Sequence, residues 1–138
     1  MAPEDVDLVV AHGTSTRGND ASETIAIKTA LGPRAYDVLV SSPKSMTGHL
    51  TAASAGLNLL VAVGAIRHSV VPPTTNLETP DPALDLDYVP LRARRRPVRA
   101  ALVNAFAFGG TNTSLAVRAT AAADGSGDSS GDGSGGAS

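Results

Sequence analysis

Cysteine and tryptophan are absent from the 138 residues, and the aromatics amount to two Phe and two Tyr. Without cysteine there is no disulfide scaffold, no thiolate-ligated zinc, no iron–sulfur cluster and no cysteine nucleophile supplied by this chain. So few aromatics leave no base-stacking platforms. With 11 Lys plus Arg against 13 Asp plus Glu, the formal charge of −2 gives no field that would attract nucleic acid. The N-terminus, Met1-Ala2-Pro3-Glu4-Asp5, has neither the basic n-region nor the apolar h-region of a secretory signal, so a cytoplasmic protein is expected. The run from Leu50 to Ile66 is uncharged but carries Thr51, Ser54, Gly56, Asn58 and Gly64. It reads as a helix buried in protein rather than a membrane span.

What is present divides into a body over 1–120 and a tail over 121–138. From 124 onward the tail is Gly, Ser and Asp with one Ala, has nothing to bury, and is expected to be disordered. Removing its three acids, Asp124, Asp128 and Asp132, takes the formal charge from −2 to +1. Val6 to Ala11 is apolar except for Asp7 and reads as a strand covered on both faces. Asp20 and Glu23 have capping-box spacing for a helix closed by Gly32-Pro33. Val38 to Val40 reads as a second strand, Ser41 to Gly48 as a polar loop, and Leu50 to Arg67 as a second helix. Pro72-Pro73 and Pro80-Asp81-Pro82 mark a long surface connection. Two further strands, Ala100 to Phe106 and Ser114 to Arg118, flank the turn at Gly109-Gly110-Thr111-Asn112. The βαβα, long loop, ββ order predicts an α/β layered domain with a mixed sheet and covering helices.

Of the three histidines, His12 ends an apolar strand, where it serves either as a polar cap or as a ligand-binding group, since strand ends in α/β sheets are where ligands bind. His49 opens the second helix, where backbone N–H groups favour a neutral imidazole. His68 closes that helix and complements its dipole. No ligand-spaced partner supports a metal site, no Walker lysine accompanies Gly109-Gly110-Thr111, and no G-x-S-x-G elbow is present. Arg92, Arg94, Arg95 and Arg96 read as a solvated basic loop, or alternatively as a contact for an acidic carrier protein.

Five motifs in order carry a family resemblance. They are Val6-Asp7-Leu8-Val9-Val10-Ala11-His12-Gly13-Thr14-Ser15-Thr16, Asn19-Asp20 with Glu23-Thr24, Ser41-Ser42-Pro43-Lys44-Ser45-Met46-Thr47-Gly48-His49, Pro72-Pro73-Thr74 with Asn76-Leu77-Glu78 and Pro80-Asp81-Pro82, and Asn104-Ala105-Phe106-Ala107-Phe108-Gly109-Gly110-Thr111-Asn112. The chain resembles the C-terminal part of the β-ketoacyl-acyl carrier protein synthases of fatty-acid and polyketide synthesis. The resemblance implies the C-terminal half of a thiolase-like α-β-α-β-α layered fold. It further implies an acyltransferase that joins malonyl-carrier protein to an acyl thioester by decarboxylative Claisen condensation. His12 and His49 match the two histidines that bond the malonyl thioester carbonyl, and Lys44 the active-site lysine placed to organise the second histidine and the surrounding charge. Phe108 matches the gating residue with Phe106 its neighbour, while Gly109 and Gly110 let the backbone approach the thioester. Thr14 and Thr16 match the threonines along the channel for the carrier protein's phosphopantetheine arm, with no other cofactor and no metal implied.

The nucleophilic cysteine belongs to the family's N-terminal half, so the implied partners are that half or a complete ketosynthase, together with acyl carrier protein, in a dimer or hetero-oligomer. This chain alone is expected to be inactive. The sequence departs from the family at Asn58, where a glutamate usually pairs with the lysine, and at Thr51 and Ser54, which replace small residues. It departs again at Ala107, where a gate-loop glycine is expected and the alanine should restrict the loop. These departures keep open a chain-length-type scaffold subunit or an orphan fragment.

Overall fold

In a computed structural model, residues 1–120 are described; the tail expected over 121–138 lies outside the described residues. The main sheet orders its strands β2-β1-β5-β6, with β1 (Leu8–Val10), β2 (Leu39–Ser41), β5 (Ala100–Phe106) and β6 (Asn112–Arg118). β1 runs parallel to both neighbours, with Val9 beside Val40 and Leu102, while β5 and β6 form an antiparallel hairpin. A two-stranded ribbon pairs β3 (Val70–Val71) with β4 (Arg94–Arg95). The helices are α1 (Arg17–Leu31), the single turn α2 (Lys44–Thr47) and α3 (Ser54–His68).

Alternation along β1 builds two cores. Leu8 and Val10 join Ala62, Ala65 and Val103 beneath α3, whereas Val9 and Ala11 join Ile27, Leu31 and Val40 beneath α1. Successive strand side chains point to opposite faces, so the four buried residues Leu8 to Ala11 serve both helices. Each fully buried Val or Leu contributes about 1.5–3 kcal/mol.

Five sequence expectations are corrected. α1 begins at Arg17 rather than Asp20, because Glu23 does not cap the helix; its carboxylate is turned inward. Ser41 to Gly48 is not all loop, since α2 lies within it. The long connection is not merely superficial. The Val40 N–H donates to the Asp87 carbonyl at 2.8 Å, the Thr74 N–H to the Val89 carbonyl at 2.9 Å, and Leu86 and Val89 are buried. Arg94 and Arg95 belong to an exposed strand, with Arg94 ion-paired to Asp87. Finally, α3 is buried on one face only. Ser54, Asn58, Ala62 and Ala65 recur at helical spacing against β1 and β5, while Leu60 is 69% and Val63 37% exposed. No helix among the described residues is long and apolar enough to cross a membrane.

The end of the sheet opposite His12 is fixed by Asp7. Its carboxylate accepts the Arg99 N–H at 2.8 Å and the Arg34 guanidinium at 3.2 Å. Burial alone would raise its pKa, but the Arg99 N–H, the Arg99 guanidinium and Arg34 together hold it below 3.8. Asp7 therefore stabilises the fold above that pH, and the contribution is lost as pH falls through the folded value. Replacing Asp7 with Leu leaves the Arg99 N–H without its acceptor; chemical denaturation at pH 7 should show a loss of about 1–3 kcal/mol, diminishing toward pH 3.

Candidate active site

The C-terminal ends of β1 and β5 deliver His12 and Phe106 to one place, and α2 with the turn after it delivers Lys44 and His49. The His12 and His49 rings lie 5.7 Å apart between centroids, nearly perpendicular, and Phe106 lies 5.3 Å from His12. His12 Nδ1 accepts the Phe106 N–H at 3.3 Å. His49 Nδ1 accepts the Thr51 N–H at 3.0 Å, with Ser54 Oγ 3.1 Å away. A backbone N–H only donates, so each neutral ring carries its proton on Nε2. Two imidazoles therefore each retain an Nε2–H donor. Both line a cavity of about 200 Å³ with Lys44, Asn58, Asn104 and Phe106.

His12 is buried. Burial and the Lys44 ammonium push its pKa below 6.5 against the opposing Glu23, and His49 adds to the lowering while Asp20 opposes it. Lys44 Nζ is buried and has no hydrogen-bond partner among the described residues. Burial lowers its pKa, and Glu23 opposes that lowering through space. Asn58 offers Lys44 no counter-charge, in keeping with the departure at that position; the acid acting on Lys44 is Glu23.

Glu23 is the site residue that sequence reasoning missed. Oε1 accepts the His12 N–H at 2.9 Å and Asn104 Nδ2 at 2.9 Å, and Oε2 accepts the Gly13 N–H at 2.9 Å. The signal was its spacing with Ile27 and Leu31, four and eight residues on, which places it on the core-facing side of α1. The adjacent Gly13 has φ +42°, and a Cβ there would lie 2.6 Å from Ser42 Oγ.

The remaining candidates separate into those gathered at the pair and those held away from it. Thr14 and Thr16 share a hydroxyl hydrogen bond of 2.8 Å on the surface, and Thr14 lines a second cavity of about 400 Å³ that also reaches Lys44 and His49. Phe106 sits at the pair, whereas Phe108 is fully exposed and lines neither cavity. Gly109 and Gly110, at φ +83° and +81°, make the hairpin turn that the Ala107 N–H closes on the Thr111 carbonyl at 2.9 Å. Ala107 itself has no positive φ, so the alanine imposes no strain there. Thr51, at φ +49°, occupies a conformation that favours glycine while its N–H holds His49, and Ser54 adds a hydroxyl to the same ring. His49 is exposed, so these residues alone do not enclose a dry pocket. Among the described residues no three His, Cys, Asp or Glu side chains converge to hold a metal.

Comparison with known proteins matches residues 1–78 to the family described as Beta-ketoacyl synthase, C-terminal domain. The 3-oxoacyl-[acyl-carrier-protein] synthase 2 of Synechocystis sp. is 54% identical over 118 residues, covering 86% of this chain and 28% of that protein. Among solved structures, a type II polyketide synthase acyl-carrier protein in complex with its ketosynthase contains a chain that superimposes with TM-score 0.85 at 38% identity. The match covers 88% of this chain and 30% of that one. The ishigamide ketosynthase/chain length factor gives TM-score 0.83 at 36% identity, over 88% and 30%. The chain thus spans less than a third of the relatives it matches, and the shared architecture is the thiolase-like fold of ketosynthases.

Two outcomes check the geometry. Gly13→Ala should lose about 1–3 kcal/mol in denaturant titration, because the new Cβ meets Ser42 and the residue keeps positive φ. As pH falls below about 6.5 the unfolded His12 binds a proton that the folded ring resists, so stability should decline. His12→Asn should flatten that part of the slope in denaturation curves between pH 7.5 and 5.5.

Proposed function

Because this chain belongs to the β-ketoacyl synthase family, as its C-terminal domain, we infer that it supplies the two enolate-stabilising histidines of a decarboxylative condensation. The reading is carried by the paired imidazoles, each with Nδ1 taken up by a backbone N–H and Nε2–H left free beside one small cavity. A thioester carbonyl oxygen has two lone pairs and accepts both donors. When the malonyl C–C bond to the carboxylate breaks, carbon dioxide leaves and the electron pair moves toward that oxygen as an enolate. The enolate carbon then attacks an acyl thioester carbonyl, forming the new C–C bond and releasing the cysteine thiolate. Donors fixed before the charge develops are worth about 2.7–4 kcal/mol each. Neutral rings suit this role because they lose no proton while donating, and the depressed pKa of His12 keeps it neutral.

Lys44, unpartnered beside both histidines, supplies positive potential at the same cavity. The cysteine comes from outside these 138 residues, on the family's N-terminal half or a complete ketosynthase. That partner would also cover the apolar face of α3 at Leu60 and Val63 and enclose His49. Enclosure is also what would turn the Gly109-Gly110 turn and Phe108 toward the thioester. The phosphopantetheine arm of an acyl carrier protein is the substrate carrier, entering past Thr14 and Thr16, whose hydroxyls are exposed to its amides. A chain-length-type scaffold is the second reading, favoured by Phe108 lying away from the pair. The fixed tautomers favour the catalytic one.

The test is malonyl-thioester decarboxylation by this chain combined with a cysteine-bearing N-terminal ketosynthase half. His12→Ala and His49→Ala should each reduce the rate by about 100- to 1,000-fold. Wild-type rates in both variants would instead support the scaffold reading.

A further inference from the structure

Asn58 lies on the buried face of α3 and is 1% exposed. Its Nδ2 donates to the Ala11 carbonyl at 3.0 Å and to the Asn104 carbonyl at 3.3 Å. Ala11 immediately precedes His12 at the end of β1, and Asn104 lies two residues before Phe106 on the neighbouring β5. The side chain of Asn104 donates to Glu23 Oε1, the same oxygen that accepts the His12 N–H. The links close a ring, from Asn58 through Ala11 to His12, through Glu23 to Asn104, and back to Asn58. Ser114 Oγ fixes Asn104 from β6 by donating to Oδ1 at 2.8 Å.

We propose that Asn58 is a positioning residue: by tying the last carbonyls of β1 and β5 together with a neutral two-proton donor, it holds His12 against the Phe106 N–H and so keeps its Nε2–H available.

Few side chains meet this demand. A carboxylate would face two carbonyl acceptors with an acceptor of its own and place a second negative charge beside Glu23. A leucine would leave two buried carbonyls unpaired, and a serine has only one proton to donate. The His12–Phe106 hydrogen bond runs between the two strands that Asn58 ties, so loosening the tie lets that 3.3 Å contact open. Charge matters as well as shape. His12 is influenced by Glu23 and Asp20 from α1, by Lys44 from α2 and by His49 after it, while β5 brings the uncharged Asn104 and Phe106. A carboxylate added at 58 tilts that balance toward the imidazolium, which has no free lone pair for the Phe106 N–H. The departure from glutamate is thus met by an amide that serves the strand ends rather than the lysine.

The inference rests on the proposed condensation only for its catalytic consequence; the geometry itself is read without turnover. The experiment uses the ¹⁵N-labelled 138-residue chain as wild type, Asn58→Asp and Asn58→Ser. NMR follows the His12 ring-nitrogen shifts against pH and the exchange of the Phe106 amide, with His68 as internal reference. Asn58→Asp should raise the His12 pKa by about one unit or more. Asn58→Ser should speed Phe106 amide exchange about tenfold or more. In both, His68 and the Arg99 amide bonded to Asp7 should remain as in wild type. Wild-type His12 titration and Phe106 exchange in both variants would overturn the proposal, even with reduced stability. Should Asn58→Asp not fold, Asn58→Ser decides alone, because it adds no charge and retains one donor. If these shifts appear while His12→Ala leaves decarboxylation intact, the positioning role stands and the proposed reaction fails.

Discussion

One buried carboxylate organises the end of the sheet where the chemistry is gathered. Glu23 reaches from α1 across the sheet's end and accepts two successive backbone N–H groups from the β1 terminus and the Asn104 amide from β5. Buried N–H groups at strand ends otherwise have no ladder to join, and leaving one unpaired costs about 1–3 kcal/mol. A single side chain therefore turns a loose strand end into a fixed one, and His12 inherits its position. Asn58 performs the complementary task from the opposite layer by donating to carbonyls rather than accepting from amides. The two helices that sandwich the sheet thus contribute opposite hydrogen-bonding characters to the same few ångströms of backbone.

The electrostatics follow from this arrangement. Because Glu23 spends its lone pairs on backbone and amide donors, Lys44 remains without a hydrogen-bond partner and feels the carboxylate only through space. The Lys44 ammonium is buried beside the two imidazoles. Opposed to this tightly tied end is an open side. His49 and the apolar face of α3 with Leu60 and Val63 are in water, so the cavity has donors but no wall on one flank. Preorganised donors gain their strength where water is excluded. The described half-site consequently holds geometry in place, and its full strength depends on a covering surface.

The layered α/β character and the two β-strands ending at the histidine and asparagine motifs were legible in the residues, whereas the grouping of His12, Lys44 and His49 came from the family resemblance. Apolar alternation, glycine-marked turns and motif order are local properties that survive without any knowledge of packing. Their limits are equally physical. Glu23 reads locally as a helix cap because capping boxes and buried hubs use the same residue type, and only the sheet's position reveals which it is. The Leu50 to Ile66 run reads as wholly buried because hydropathy reports preference, not the presence of a partner. Phe108 matches its motif in sequence yet lies outside the cavity, because a hairpin turn of two left-handed glycines directs it outward.

By itself, then, the sequence determined the layered α/β class and its main strands and helices, since these rest on periodicity, while α2 and the β3–β4 ribbon were not visible in it and the candidate donors rested on the motif resemblance. Only the tertiary structure decided which nitrogen of each histidine is free, why Asn58 replaces an acid without leaving carbonyls unpaired, and which acid acts on Lys44. The tie at Asn58 and the His12 tautomer require residues 46 to 94 positions apart to meet, as Asn58 meets Ala11 and Asn104 and as Phe106 meets His12, whereas the His49 tautomer is set by Thr51 two residues on. No local pattern encodes a hydrogen bond between partners that only the packed sheet brings within reach.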